Sequence, residues 1–203
     1  RPLRMINESA VNKYFKKVWA KSKIYVEHVA PTETFPSLYL ISDNNIILRV
    51  QLGLKLFNDR AMFPELPPVG KSYTYGKLCG CKADGPSMQK LIADTLEGSG
   101  QERLEVTPWQ HGDAVLLHND RGAYTFIDRK FLDLLDGTYS AYGTARPGAP
   151  VMFTAGELTV DQVFAVMAPM RVCFEFQFLI GKLKTFREAM REGRDWLVSI
   201  PHR

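Results

Sequence analysis

The chain is 203 residues long, 45% hydrophobic and 24% charged, with a formal net charge of +4. That length buries a real core, as one domain or two small ones, and the composition is that of an ordinary globular protein. The mild positive balance is compatible with a polyanionic partner but selects none, and no apolar run approaches the ~20 residues that span a bilayer.

The opening Arg1-Pro-Leu-Arg-Met5 lacks the apolar core of a secretory signal, which sets the expectation of a cytoplasmic protein with Met5 as a candidate natural start. The first strong element is a helix over 7–21. Val11, Tyr14, Phe15, Val18 and Trp19 recur at helical spacing and make one continuous apolar face. Asn7 or Ser9 can cap its start. The opposite face carries Lys13, Lys16, Lys17 and Lys21, with Lys23 just beyond, and no acidic residue intervenes between Glu8 and Glu27. Such a stripe is either a solvated helix face or a surface that holds phosphates.

Two β-rich runs follow, 37–42 and 45–50, around a polar Asp43-Asn44 turn, which reads as a hairpin. Residues 57–85 contain Pro64, Pro67, Pro68 and several glycines and read as irregular, a candidate insertion or linker. Asp84-Gly85-Pro86 signals a second helix, with Pro86 at its first position, Met88, Leu91, Ile92, Thr95 and Leu96 on the buried face, and Gly98 ending it. Residues 104–107, 114–118 and 123–127 read as strands, the last two joined by a turn at 119–122.

Asp128 is placed to cap a short helix over 129–135, closed by Gly137. Strands are expected over 138–143, 150–154 and 163–172, with Arg146-Pro147-Gly148 turning between the first two. The tail, 174–198, reads as a longer amphipathic helix with Phe176, Leu179, Ile180, Leu183, Phe186 and Met190 on one face. Lys182, Lys184, Arg187, Arg191 and Arg194 crowd its other faces. Helix followed by strands thus occurs twice, over 7–50 and over 128–172, which indicates an α+β architecture of antiparallel sheets with packed helices.

Motifs for catalysis are sparse. Cys79, Cys81 and Cys173 have no framework spacing and read as reduced thiols. Cys79-Gly-Cys81 offers two soft ligands where zinc needs four, and His28, His111, His118 and His202 are scattered, so no metal site or cofactor is expected. Val69-Gly70-Lys71-Ser72 and Gly76-Lys77 lack the earlier glycine and following helix of a phosphate loop. There is no Gly-x-Ser-x-Gly elbow and no His-Glu-x-x-His helix. Asp128, Asp133 and Asp136 read as a cap, a solvated residue and a helix end. Trp109-Gln-His111-Gly-Asp113 is the one polar cluster with a faintly catalytic composition, and plain loop is its simpler reading.

The run Val163-Phe-Ala-Val-Met-Ala-Pro-Met-Arg-Val172 resembles the final strand and Pro-Met-Arg tail of the bacterial DNA polymerase sliding clamp. Phe126-Ile-Asp-Arg-Lys-Phe-Leu-Asp-Leu-Leu135 is similar to the clamp segment in which a strand leads into a helix, and Pro150-Val-Met-Phe153 to the penultimate strand. The likeness covers residues 124–172, and residues 27–39 with the hairpin after them are compatible with a first half. Three departures stand beside it. Ala168 interrupts the tail, the chain continues past the tail to Arg203, and clamp chains carry three domains where 203 residues hold about one plus an insertion.

The resemblance implies a clamp-like α+β domain over 1–173, with the irregular insertion near 57–85, and a basic amphipathic helix over 174–203. It implies helix-plus-strands halves whose basic helices face double-stranded DNA without sequence preference, here through Lys13, Lys16, Lys17, Lys21 and Lys23. It further implies an apolar groove beside Pro169, Met170 and Arg171 that captures a peptide of a partner protein, although Met and Val in a last strand also suit a core. The expected function is a non-enzymatic, DNA-associated processivity or protein-docking factor, with homo-oligomerisation if a ring is to close. Two alternatives stay open: an interaction or regulatory module that does not encircle DNA, and a small enzyme with a site at Trp109 to Asp113.

Overall fold

The computed structural model describes residues 5–33, 35, 38–51, 53–98, 100–144 and 148–170. The Asn7 side chain accepts the Ala10 N–H at 3.2 Å and starts α1 (Glu8–Lys21), satisfying one of the N–H groups that a helix start leaves without an intrahelical partner. Val11 and Phe15 of α1 are fully buried, and each contributes about 1.5–3 kcal/mol by leaving water. β1 (Ile24–Val29), β2 (Leu38–Ser42) and β3 (Ile46–Gln51) then form an antiparallel meander. Asp43 shapes the β2–β3 turn by accepting the N–H groups of Asn45 at 2.7 Å and Ile46 at 2.9 Å, which is how a short polar side chain mimics a backbone turn. β2 is buried along its whole length, as suits a strand covered on both faces.

The stretch 57–85 is only partly irregular. After a single 3-10 turn (Lys55–Asn58), it holds the hairpin of β4 (Ser72–Gly76) and β5 (Gly80–Lys82), and β4 pairs with β1. Phe63 and Tyr75 from this stretch are buried in the main core. The three prolines lie ahead of β4, in the connection. The partner that makes β4 a strand is β1, distant in sequence, so local composition does not announce it.

α2 (Met88–Glu97) is capped by Ser87, whose hydroxyl accepts from Lys90 N–H at 3.3 Å. Pro86 therefore precedes the cap instead of opening the helix, while Gly98 ends it in an extended conformation, φ −60° and ψ 137°, that does not require glycine. β6 (Glu102–His111), β7 (Ala114–His118) and β8 (Tyr124–Asp128) form a second meander. In the turn before β8, Gly122 has φ 86°, where a side chain would be strained, and the Asn119 carbonyl oxygen of the side chain accepts from Arg121 and Ala123 at 3.0 Å each.

α3 (Arg129–Leu132) starts on the Asp128 cap, with Asp128 accepting from Lys130 N–H at 3.0 Å. It is shorter than the 129–135 expected. Leu134 and Leu135 bond back three residues, to Phe131 and Leu132, so the last turn tightens beyond the helix proper. β9 (Ser140–Gly143), β10 (Val151–Thr154) and β11 (Val163–Met167) make a third meander. β11 ends at Met167, short of 172, because Pro169 has no N–H to give to a ladder. The helix expected over 174–203 lies outside the described residues.

Among the described residues, eleven strands join one antiparallel sheet in the order β5-β4-β1-β2-β3-β11-β10-β9-β6-β7-β8. The molecule is α+β. Its centre is the β3–β11 pair, with Leu48 opposite Ala165 and Ile47 opposite Val166. A helix followed by a three-strand meander occurs on each side of that pair: α1 with β1–β2–β3, and α3 with β9–β10–β11. The helix-then-strands order read from the sequence thus occurs twice in the order of the observed elements.

Two charged residues are buried inside this frame. Glu27 of β1, 6% exposed, accepts from the Met88 N–H at 2.7 Å, the Gln89 N–H at 3.0 Å and the Ser87 hydroxyl at 3.1 Å. It fastens the start of α2 to the sheet and complements the positive end of the helix. Arg49 of β3, 4% exposed, donates to the carbonyls of Val163 at 2.9 Å and Val160 at 3.0 Å and lies over the Phe35 ring. Its burial pushes the guanidinium down to about 10, still charged at neutral pH. Arg49 thereby ties the β3 half to the loop that enters β11.

Candidate functional site

An open groove of about 720 Å³ lies between α1, α3 and the β2–β3 turn. Tyr14 holds its walls together. Its ring packs edge-on against Phe15 and against Phe131 of α3, at centroid distances of 5.1 and 5.9 Å. The Tyr14 hydroxyl donates to the Asp43 carboxylate. Burial, then this hydrogen bond and the Asp43 charge, raise the phenol well above its ordinary value. Backbone bonds from Asn7 N–H to the Leu134 carbonyl at 2.8 Å and from Asp136 N–H to the Met5 carbonyl at 2.9 Å fix the start of α1 to the end of α3.

Lys13, Lys17 and Lys21 line this groove from α1, and Lys130 lines it from α3. The three α1 lysines stand four residues apart, so they form a row with steps of about 6 Å along the helix axis. Asp43 and Asp133 share the groove, leaving four lysines against two aspartates. Lys130 lies 3.7 Å from Asp128. Among the described residues, none of Lys13, Lys16, Lys17, Lys21 and Lys23 forms an ion pair.

The five lysines expected to act together are divided by the fold. Lys16 is exposed on α1 outside the groove. Lys23 lies past the helix end, in a separate hollow of about 430 Å³ with Cys79, Lys82 and Asp84. Lys130 was not singled out by the sequence, where it reads as one cation in a short helix. Its signal is three-dimensional: α3 has to lie beside α1 before Lys130 joins the row.

Pro169 and Met170 are half-buried, and Arg171 lies outside the described residues. Met170 packs against a small apolar cluster of Ala114, Leu116 and Phe126, together with Trp109 and Tyr124. Its N–H donates to the Phe126 carbonyl at 2.7 Å. The Trp109 to Asp113 segment is not a plain loop, since Trp109 and His111 belong to β6 and their rings stack at 6.3 Å. Gln110 accepts from Arg129 Nε at 3.2 Å and donates to the Gly112 carbonyl at 2.8 Å.

Cys79 and Cys81 carry free thiols. Burial, reinforced by the Glu65 charge, pushes the Cys81 thiol up, away from the thiolate that nucleophilic or ligand chemistry needs. Among the described residues no group of three His, Cys, Asp or Glu is gathered as a metal site. No helix among them is long and apolar enough to cross a membrane.

No family model matches the chain, and neither a curated protein nor a solved structure matches it.

Proposed function

We propose that this chain is a non-enzymatic, DNA-associated factor of sliding-clamp type that serves processivity or protein docking. The observation that carries the reading is the pairing of α1 with α3 on either side of one groove lined by Lys13, Lys17, Lys21 and Lys130. A row of lysines on a rigid helix neutralises phosphates without reading bases, and it leaves a duplex free to move along it. The twofold helix-plus-meander topology supports the same reading, since it supplies two such helices from one sheet. Pro169, Met170 and Arg171 are assigned to the edge of a peptide-docking site, supported by the apolar contact of Met170 with the Trp109–Phe126 cluster.

Encirclement needs more than one copy of this unit. An eleven-stranded sheet is about 50 Å wide, enough for one sector of a ring around a duplex, so a homo-oligomer is part of the proposal. Localisation with the cytoplasmic replication machinery follows from the reading.

Replacing Lys13, Lys17 and Lys21 together by Glu tests it. Salt-sensitive binding to a random-sequence duplex is lost under this reading. Unchanged duplex affinity sinks the role of the groove.

The second reading is an interaction module that does not embrace DNA. Asp43 and Asp133 favour it, because they offset half of the lysine charge in the groove and suit a ligand with both signs. Under that reading the triple reversal leaves duplex binding absent or unchanged and alters only protein association.

A further inference from the structure

We propose that the hollow beside β5 is a second binding site, one that takes the phosphate group of a small phosphorylated molecule. This goes beyond the DNA reading and stands independently of it, because the hollow shares no residue with the lysine groove.

Strand register builds the site. Tyr25 of β1 stands opposite Thr74 of β4, and Thr74 stands opposite Lys82 of β5. Directly opposed residues of an antiparallel sheet project from the same face with Cβ atoms about 4.5–5.5 Å apart. A phenol, a hydroxyl and an ammonium group therefore stand abreast. Lys23 ahead of β1, Cys79 in the β4–β5 turn and Asp84 after β5 line the hollow too. Gly76 lets that turn close against the chain at Lys23. A Cβ there would lie 2.8 Å from the Cys79 sulfur and 2.9 Å from the Ser22 carbonyl oxygen.

Thr74 marks the hollow as a site. It is only 7% exposed and lines the hollow, yet among the described residues its hydroxyl has no hydrogen-bond partner. A buried hydroxyl in that state costs free energy that an oxygen placed in the hollow recovers. Lys23 and Lys82 likewise form no ion pair among the described residues. Glu27, two residues along β1 from Tyr25, does not neutralise them, because its carboxylate is committed to Ser87, Met88 and Gln89. Two unpaired ammonium groups at one concavity attract an anion, and lysine binds phosphate as a point charge with donors to spare.

Size and charge narrow the ligand. The hollow of about 430 Å³ has the dimensions of a small-molecule site. Asp84 leaves one positive charge in excess over the two lysines. Its carboxylate repels a continuous polyanion and accepts a hydrogen bond from a hydroxyl on the ligand. The class that fits is a phosphate monoester on a hydroxylated carbon skeleton, such as a sugar phosphate.

Titration calorimetry of the full chain with ribose 5-phosphate, inorganic phosphate and ribose, at constant ionic strength, tests the proposal. The expected result is saturable binding of ribose 5-phosphate, weaker binding of inorganic phosphate and none of ribose. Lys82→Ala lowers the ribose 5-phosphate affinity by at least about tenfold. Thr74→Val, which keeps the shape and suits a strand, lowers it by about three- to tenfold. Ribose 5-phosphate at about ten times its Kd slows the alkylation of Cys79 by N-ethylmaleimide about tenfold. Replacing Lys13, Lys17 and Lys21 by Glu retains the binding. Absence of saturable heat up to about 10 mM ligand overturns the proposal. So does an affinity indifferent to Lys82→Ala and Thr74→Val, or one lost only on reversal of Lys13, Lys17 and Lys21. Equal affinity for inorganic phosphate and ribose 5-phosphate overturns the part given to Asp84 and makes free phosphate the ligand.

Discussion

Tyr14 and Asp43 join α1 to the β2–β3 turn: the phenol donates to a carboxylate that also accepts the Asn45 and Ile46 N–H groups. One side chain thereby serves both the turn of the hairpin and the wall of the groove. Tyr14→Phe removes the phenolic donor and keeps the ring contacts with Phe15 and Phe131. Asp43 retains its two backbone donors, so the expected loss is modest, about 0.5–1.5 kcal/mol, read as a lower urea midpoint at unchanged slope.

The same hydroxyl predicts an alkaline limit to stability. The folded phenol titrates above the ordinary tyrosine value, mainly because it is buried and then because of Asp43; Tyr75 is raised likewise by burial. In the unfolded chain both titrate near 10. Their contribution is therefore complete below pH 10 and is lost as the pH rises above it, since the unfolded state releases protons that the folded state keeps. Melting temperature followed from pH 8 to pH 11 declines above about 10, and the decline is shallower in Tyr14→Phe. An equally steep decline in the variant contradicts this assignment.

Glu27 predicts a larger effect than its surface-like residue type suggests. Glu27→Ala leaves the Met88 and Gln89 N–H groups without their acceptor at a buried helix start, at a cost of about 2–4 kcal/mol. Ser87→Ala, which removes the local cap and one of the three donors to Glu27 but leaves the Met88 and Gln89 N–H groups their acceptor, costs about 1 kcal/mol. Chemical denaturation of the two variants side by side checks the ranking. Equal losses mean that Glu27 does not hold α2.

The ring proposal predicts a discrete oligomer. Light scattering behind size exclusion, over a range of concentrations, should give an integral multiple of the 23.0 kDa chain. A monomer at every concentration removes encirclement and leaves the docking reading.

The sequence discloses the local elements well where a cap or a period marks them. α1 begins at its Asn7 cap, β7 occupies 114–118 as its apolar run indicates, and Asp128 opens α3. What it conceals is pairing. β1 contains Glu27 and His28 among its apolar residues and draws its strand character from β2 and β4 on either side. β4 follows a proline-rich connection for the same reason. The groove is legible in three of its four lysines: Lys13, Lys17 and Lys21 come from helical spacing, whereas Lys130 enters only once α3 lies against Tyr14. Lys16 and Lys23 share the charge of that row and the same stretch of chain, but helix rotation and the end of α1 turn them elsewhere.

The most direct test of the central claim is the salt dependence of duplex affinity for the wild-type chain and for single Lys13→Ala, Lys17→Ala, Lys21→Ala and Lys16→Ala variants. With four groove lysines each neutralising a phosphate, log K against log salt has a slope of roughly −3 to −4. Each groove substitution reduces its magnitude by about 1, and Lys16→Ala leaves it nearly unchanged. Absence of duplex binding at low salt, or a slope indifferent to Lys13, Lys17 and Lys21, contradicts the account.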